Sequence, residues 1–296
     1  MPVFFLLILC VLFWSGNFVI GRFVHSDIDP LQLAFFRWLG AAVFMLPVII
    51  VKFGKITKVI KEHFLILTLL SWLGITAFNT LLYVGLQYTT ATNALLINSF
   101  IPILILVFSF FILKIRISPK QFTGILISTL GVIFLVLRGQ ISTLSTLELN
   151  QGDIWIIVSS LTWALYSVLV KFKPKELNDL EFFTTIVFVG LFWLFLIYKF
   201  MGYSVNEDMA KVYAHPWVFV YVSFFTSVLS FYFWHQGIHH IGANKTGQFT
   251  HLMPLFGSIL AYLFLGEKLH LYHIFGALLI ATGIYLSLFS KRKGII

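Results

Sequence analysis

The residues of this chain that could do chemistry are the polar side chains set inside long apolar stretches. A polar group in hydrocarbon is costly, so each should line a cavity or bond a neighbouring helix. Asn17 follows Trp14 by three residues, and Tyr166 follows Trp163 by three. Asn79, Tyr83 and Gln87 are spaced by four and share one helical face, and Phe231, His235 and His239 hold the corresponding places further on. Asn98 and Ser99 precede Pro102, while Lys245, Gln248 and His251, spaced by three, precede Pro254. Arg37 stands alone inside an apolar run. Together these sets are expected to line one central polar and aromatic cavity. The substrate-binding candidates are Asn17, Arg37, Asn79, Tyr83, Asn98, Trp163, Tyr166, His235, Gln248 and His251.

Each candidate has a plainer reading as well. Interhelical hydrogen bonds that only hold a bundle together average about 0.6 kcal/mol and are a common fate for buried Ser, Thr and Asn. His235, Gln248, His251 and Arg37 are larger and costlier to bury, which favours the cavity for them. Trp14, Trp163 and Tyr83 read first as packing, although an aromatic wall would suit amino acids or aromatic and cationic metabolites through stacking and cation–π contact. Lys245 can snorkel to the membrane surface. Pro102 and Pro254 each remove an internal hydrogen bond, so they are candidate hinges or simple structural kinks.

What is missing narrows the chemistry. No Asp or Glu falls in the middle of an apolar stretch. Proton coupling, if present, would therefore run through His235 or His251, and the alternative is no ion coupling at all. The pairs His235/His239 and His270/His273 have metal-compatible spacing but lack further ligands, so no metal is expected. No phosphate-binding glycine loop or nucleotide-hydrolysis motif is present. No cofactor is implied, and the chain is not expected to be an enzyme. A membrane enzyme on lipid-linked substrates would need a buried nucleophile–base or metal constellation, and the sequence shows none.

The elements that must position these residues are membrane spans. Of 296 residues, 59% are hydrophobic and 10% charged, with a mean hydropathy of +0.97. A soluble domain is about 45–50% apolar and about 25% charged, so the solvent here is a lipid bilayer. The single cysteine, Cys10, excludes an internal disulfide. The net charge of +9 sits in short loops, which fits membrane topology and not a nucleic-acid face. A crossing needs about 20 apolar residues. Ten candidates satisfy this: 3–22, 32–51, 64–86, 93–113, 119–137, 154–172, 182–200, 216–238, 245–265 and 271–290. The first is read as a retained span and not a cleaved signal, because no small-residue cleavage site follows it. With the N-terminus in the cytoplasm, 14 of the 20 Lys and Arg fall in cytoplasmic loops and five outside. The expected location is therefore the cell membrane with both termini cytoplasmic.

The chain is also a duplication. Residues 242–283 lie without gaps on 90–131 at an offset of 152, matching Ala243 with Ala91, Pro254 with Pro102, Gly276 with Gly124 and Gly283 with Gly131. Trp14 and Asn17 fall on Trp163 and Tyr166 at an offset of 149. The expected division is a first five-span repeat at 1–138, an outer linker at 139–153, a second repeat at 154–290 and a basic tail at 291–296. Two halves of five spans, joined head to tail, must have opposite topology. Such inverted repeats are typical of secondary transporters, with the site near mid-membrane between the repeats. Gly124/Gly131 and Gly276/Gly283 are seven apart and mark close-packing seams.

These features carry a resemblance. Both halves show an A-x10-P-x21-G-x6-G skeleton. The second carries Pro254, then Leu265-Gly266-Glu267, Gly276 and Gly283, and the first carries Phe13 to Arg22 and the Phe36-Arg37 pair. The whole chain resembles the drug/metabolite transporter superfamily and within it the EamA-type ten-span carriers. The first half departs from the pattern, with Lys114-Ile115 where the second has Gly266-Glu267. The resemblance implies an all-α membrane protein of ten helices in two inverted five-helix repeats. It implies a carrier that exports a small organic metabolite, an amino acid or related compound, by alternating access. Uptake by the same fold is the alternative within transport, and a membrane enzyme or a non-transporting scaffold lies outside it. The sequence sets no oligomeric state.

Overall fold

The computed structural model describes residues 2–140, 150–265, 268 and 270–289, and every regular element among them is helical. Residues 141–149 of the expected linker, the tail 291–296 and Gly266-Glu267 lie outside the described residues.

The first five crossings are α1 (Pro2–Phe23), α2 (Pro30–Val51), α4 (Phe64–Ser71) continued by α5 (Phe78–Tyr88), α6 (Ala91–Asn98) followed by α7 (Ile101–Leu113), and α8 (Pro119–Val136). A further helix, α3 (Phe53–Glu62), lies between the second and third crossings. The second five are α9 (Gln151–Leu169), α10 (Asp179–Phe200), α12 (Pro216–Val220) continued by α13 (Ser230–Ile241), α14 (Ala243–Thr246) leading to α15 (Met253–Leu265), and α16 (Leu271–Leu288). Here α11 (Val205–Ala214) precedes α12. Among the described residues, nine of these runs are long and apolar enough to cross a membrane. The remaining crossing, the ninth in order and expected at 245–265, is interrupted: Gly247–Leu252 winds as a 3-10 helix between α14 and α15.

Local chemistry sets the helix starts. Asp29 caps α2 with Gln32 at the third helical position, Asn150 caps α9 with Asp153, and Asn178 caps α10 with Glu181. Each pair satisfies two otherwise unmet backbone donors at a terminus. Ser118 and Pro119 start α8 in the same spirit.

Inside the spans the structure is less regular than hydropathy predicts. The third crossing contains a π-helical segment, Trp72–Ala77, and the eighth contains one at Tyr221–Leu229, which covers the positions 152 residues on. The fourth breaks at Ser99-Phe100, and Pro102 stands at the start of α7. Pro254 stands likewise at the start of α15. The prolines thus follow interruptions, where a missing N–H costs nothing. The segments 52–63 and 201–215, which fall between the expected spans, contain α3 and α11. In α3, Ile56 and Val59 are buried while Lys55, Lys58 and Lys61 are not, as in a helix lying at an interface.

The halves interlock in crosswise pairs. α5 packs on α9 and α13 on α1, while α2 packs on α10 and α8 on α16. The last pair touches backbone to backbone. A Cβ added to Gly124 would sit 2.6 Å from the carbonyl of Gly283, and one on Gly131 would sit 3.0 Å from that of Gly276. Since Gly276 and Gly283 are the repeat mates of Gly124 and Gly131, this contact is self-complementary under the pseudo-two-fold axis.

Candidate functional site

A small cavity of about 20 Å³ lies between the halves, lined by Trp14, Asn17, Phe18, Phe78, Asn79, Leu82, Asn98, Ile101, Trp163, Thr250 and Met253. This is room for about one water molecule, so the chain is contracted around it. Its walls are repeat mates facing each other: Trp14 with Trp163, Asn98 with Thr250, Ile101 with Met253. The cavity therefore straddles the pseudo-two-fold axis. Much larger hollows lie against α16, at about 810 and 340 Å³. The first is lined mostly by apolar residues such as Ile259, Leu271 and Ile274, with His270 and His273 among them, and the second by Phe134, Phe275, Leu278, Leu279 and Thr282, so both are largely apolar grooves.

Four of the sequence candidates, Asn17, Asn79, Asn98 and Trp163, line the central cavity. Trp14 and Trp163 meet edge to face at 5.1 Å, and Phe78, Phe231 and Trp234 pack around Trp163 at 4.5, 5.2 and 5.4 Å. Trp14 is anchored by its Nε1, which donates to the Thr226 carbonyl at 3.0 Å. These contacts make a stiff aromatic wall.

Arg37 and Tyr83 stand one layer behind Asn17. Arg37 is 1% exposed. Its Nε donates to Ser227 Oγ (2.6 Å), one terminal nitrogen donates to Asn17 Oδ1 (3.1 Å) and Tyr83 Oη (2.9 Å), and the other to the Thr226 carbonyl (3.0 Å). The Tyr83 hydroxyl donates to Asn17 Oδ1 at 2.8 Å. Thr226 and Ser227 belong to the π-helical segment of the eighth crossing, so the clamp ties spans of both halves. Among the described residues Arg37 forms no ion pair. An ion removed from water carries an effective penalty of several kcal/mol, so a charge held by neutral groups alone is notable.

The equivalent place in the second half holds Tyr166 and His235. Tyr166 Oη and His235 Nε2 are 2.5 Å apart, and Phe182, Phe183 and Phe231 surround the imidazole. Neither ring reaches the cavity lining. His251 lies deeper, where its Nε2 donates to the carbonyl of Ser99 at 2.8 Å and Nδ1 pairs with Ser128 Oγ at 2.7 Å. Ser99 is the repeat mate of His251 and sits at the break of the fourth crossing. The histidine thus caps a carbonyl that the broken helix leaves free. Gln248, one 3-10 turn earlier, is fully buried, and neither atom of its amide has a partner. Asn79 Nδ2 and Asn98 Nδ2 are also buried without partners. Leaving such a group unmet costs about 1–3 kcal/mol.

Other sequence-selected polar residues serve the ends of the helices. Lys245 donates to the Leu288 carbonyl at 2.5 Å, His239 pairs with Asp179 at 2.7 Å, and Gln87 donates to the His25 carbonyl at 3.0 Å. Among the described residues, no three His, Cys, Asp or Glu side chains gather as a metal site requires.

Sequence reasoning missed Phe18, Phe78, Leu82, Ile101, Thr250 and Met253 as cavity residues, and read Trp14 as packing. A usable signal existed for part of the set. The offset of 152 carries Asn98 to Thr250 and Ile101 to Met253, so mates of a polar candidate were the places to look.

Known proteins show the same organisation. The uncharacterized transporter YyaM of Bacillus subtilis (strain 168) is 30% identical over 274 residues, covering 92% of this chain and 89% of the relative. YetK of the same organism, another uncharacterized transporter, is 28% identical over 94% of this chain and 84% of its own. An uncharacterized transporter of Archaeoglobus fulgidus is 27% identical over 95% and 96%. A crystal structure with 13% sequence identity superposes with a TM-score of 0.75 over 97% of this chain and 96% of its own, which shows a shared fold. The profile of the EamA-like transporter family matches twice, at residues 1–137 and 150–289. The duplicated helical halves, the cavity between them and these matches place the chain in the EamA-like transporter family, as a membrane transporter.

Proposed function

We propose that this chain is a secondary transporter that moves a small organic metabolite, an amino acid or related compound, out of the cell by alternating access. It would sit in the cell membrane with both termini cytoplasmic and work as two inverted five-span repeats, 1–138 and 154–290. The observation that carries the reading is the contracted cavity between repeat mates, whose lining residues Asn79 and Asn98 each carry a buried, unpartnered amide nitrogen. Buried polar groups normally find partners, and a substrate supplies them. The neighbouring interruptions at Ser99-Phe100 and Gly247–Leu252 give each half a bending point beside the cavity. Discontinuous helices at a repeat interface suit alternating access. The unpartnered Gln248 amide fits a chain with a second conformation in which that group is satisfied. Export is favoured over uptake by the family resemblance alone.

The test is flux in liposomes holding a panel of labelled amino acids and small metabolites, with label inside or outside. Selective flux that Asn79→Leu removes, while an exposed change such as Lys58→Ala preserves it, is the expected result. Folded protein that moves nothing in the panel in either direction, with or without a pH gradient, overturns it.

A further inference from the structure

The polar side of the cavity is backed by a cation and carries no carboxylate. Arg37 is always a donor and never an acceptor. Four hydrogen bonds consume most of its N–H groups, yet all end on neutral oxygens, so among the described residues its charge has no counter-charge. Asn17 is the only one of its partners that lines the cavity. Arg37 and Tyr83 both donate to Asn17 Oδ1, which fixes the amide with its oxygen turned to the clamp and leaves Nδ2 as the group it can offer. Asn79 and Asn98 add two more unpartnered amide nitrogens. No carboxylate lies among the lining residues, and none falls in mid-span anywhere in the chain. In a low-dielectric interior the field of Arg37 is poorly screened. The opposite wall is Trp163 and Met253, and behind it Ile186 takes the place that repeat symmetry assigns to Arg37.

Accepting the carrier reading above, we infer that the cavity is a site for small organic anions, a carboxylate on an apolar or aromatic body. The carboxylate lies on the Asn17 side, where Arg37 supplies the compensating charge through the amide. The body lies against Trp163. Amines without a carboxylate are disfavoured because nothing in the cavity balances a second net positive charge. Since Arg37 has no charged mate in the second half, one anionic group is accommodated and the ligand has a single orientation.

Three probes with the same ring separate charge from shape: 3-phenylpropionate, 3-phenylpropanol and 3-phenylpropylamine. Their binding to purified full-length protein is read from ligand-induced shifts in melting temperature, which report affinity by mass action. The acid is expected to bind at least about tenfold more tightly than the alcohol, and the amine more weakly still. Asn17→Asp keeps the oxygen that accepts from Arg37 and Tyr83 but places a carboxylate beside the guanidinium. It should erase the preference for the acid by about tenfold or more. Asn79→Asp, which adds a carboxylate to the lining without touching Arg37, should do the same. Arg37→Lys, with charge kept and fork lost, should retain the preference. Alcohol or amine binding as tightly as the acid, or an acid preference unchanged in both aspartate variants, overturns the inference. The two readings fail separately. A flux panel that passes only neutral or cationic compounds keeps the carrier and removes the anion site. Asn17-dependent binding of the acid without any flux keeps the site and removes the carrier.

Discussion

Two regions related by the duplication have the same geometry and different chemistry. In the first half Tyr83 meets Asn17 at 2.8 Å, and at the mates of those positions His235 meets Tyr166 at 2.5 Å. A hydrogen bond between the first and third crossings thus recurs between the sixth and eighth. Behind the first pair stands Arg37, with bonds to four residues, and at its mate stands Ile186, fully buried. The backbone symmetry survives, while one side of the axis is charged and the other aromatic. An inverted repeat supplies two equivalent walls, but a ligand is seldom symmetric. Divergence at three positions turns a symmetric hollow into one with a polar end and an apolar end.

That contrast can be broken from either side. The largest effect is expected for Arg37→Met, which removes four hydrogen bonds and the charge. At about 0.6 kcal/mol for each membrane hydrogen bond, it should destabilise the fold by roughly 2 kcal/mol and abolish flux, as read by thermal unfolding in detergent and by liposome assay. Tyr83→Phe removes the bond to Asn17 and one acceptor of Arg37, and should cost about 1 kcal/mol with partial loss of flux. Tyr166→Phe removes the matching bond to His235 and should cost about 0.6 kcal/mol with no change in the preference among charged probes. The smallest effect on transport belongs to Ile186→Met, a volume-conserving exchange that should leave flux unaltered and cost less stability than Arg37→Met, under about 1.5 kcal/mol. Equal penalties at Arg37 and Ile186 would mean that the asymmetry is structural and does not serve the cavity.

Much of the architecture was legible before the structure. Long apolar runs announce crossings because hydrocarbon tolerates little else. Gly124, Gly131, Gly276 and Gly283 announced a close seam, and α8 and α16 do meet through their backbones there. The irregular parts were not legible. Neither π-helical segment has a local signature, because the extra residue is held by contacts such as Arg37 to Ser227 from another span. The break at Ser99-Phe100 was foreshadowed by Pro102, yet the residue that caps the free carbonyl, His251, is 152 positions away. In α3 the spacing of Ile56 and Val59 among lysines was available as an amphipathic signal. For the candidate site, Asn17, Asn79, Asn98 and Trp163 reached the cavity lining, whereas Arg37, Tyr83, Tyr166, His235, Gln248 and His251 occupy the layer around it.

Burial in lipid, the number of crossings and the inverted duplication were properties of the sequence alone. Each follows from the apolar content of a local stretch or from self-similarity along the chain, and neither needs a partner to be known. Which polar group answers which was decided only by the tertiary structure. A hydrogen bond depends on distance and direction to within a few tenths of an ångström. Its partners here, Arg37 and Ser227 or His251 and Ser99, are separated by more than a hundred residues of chain.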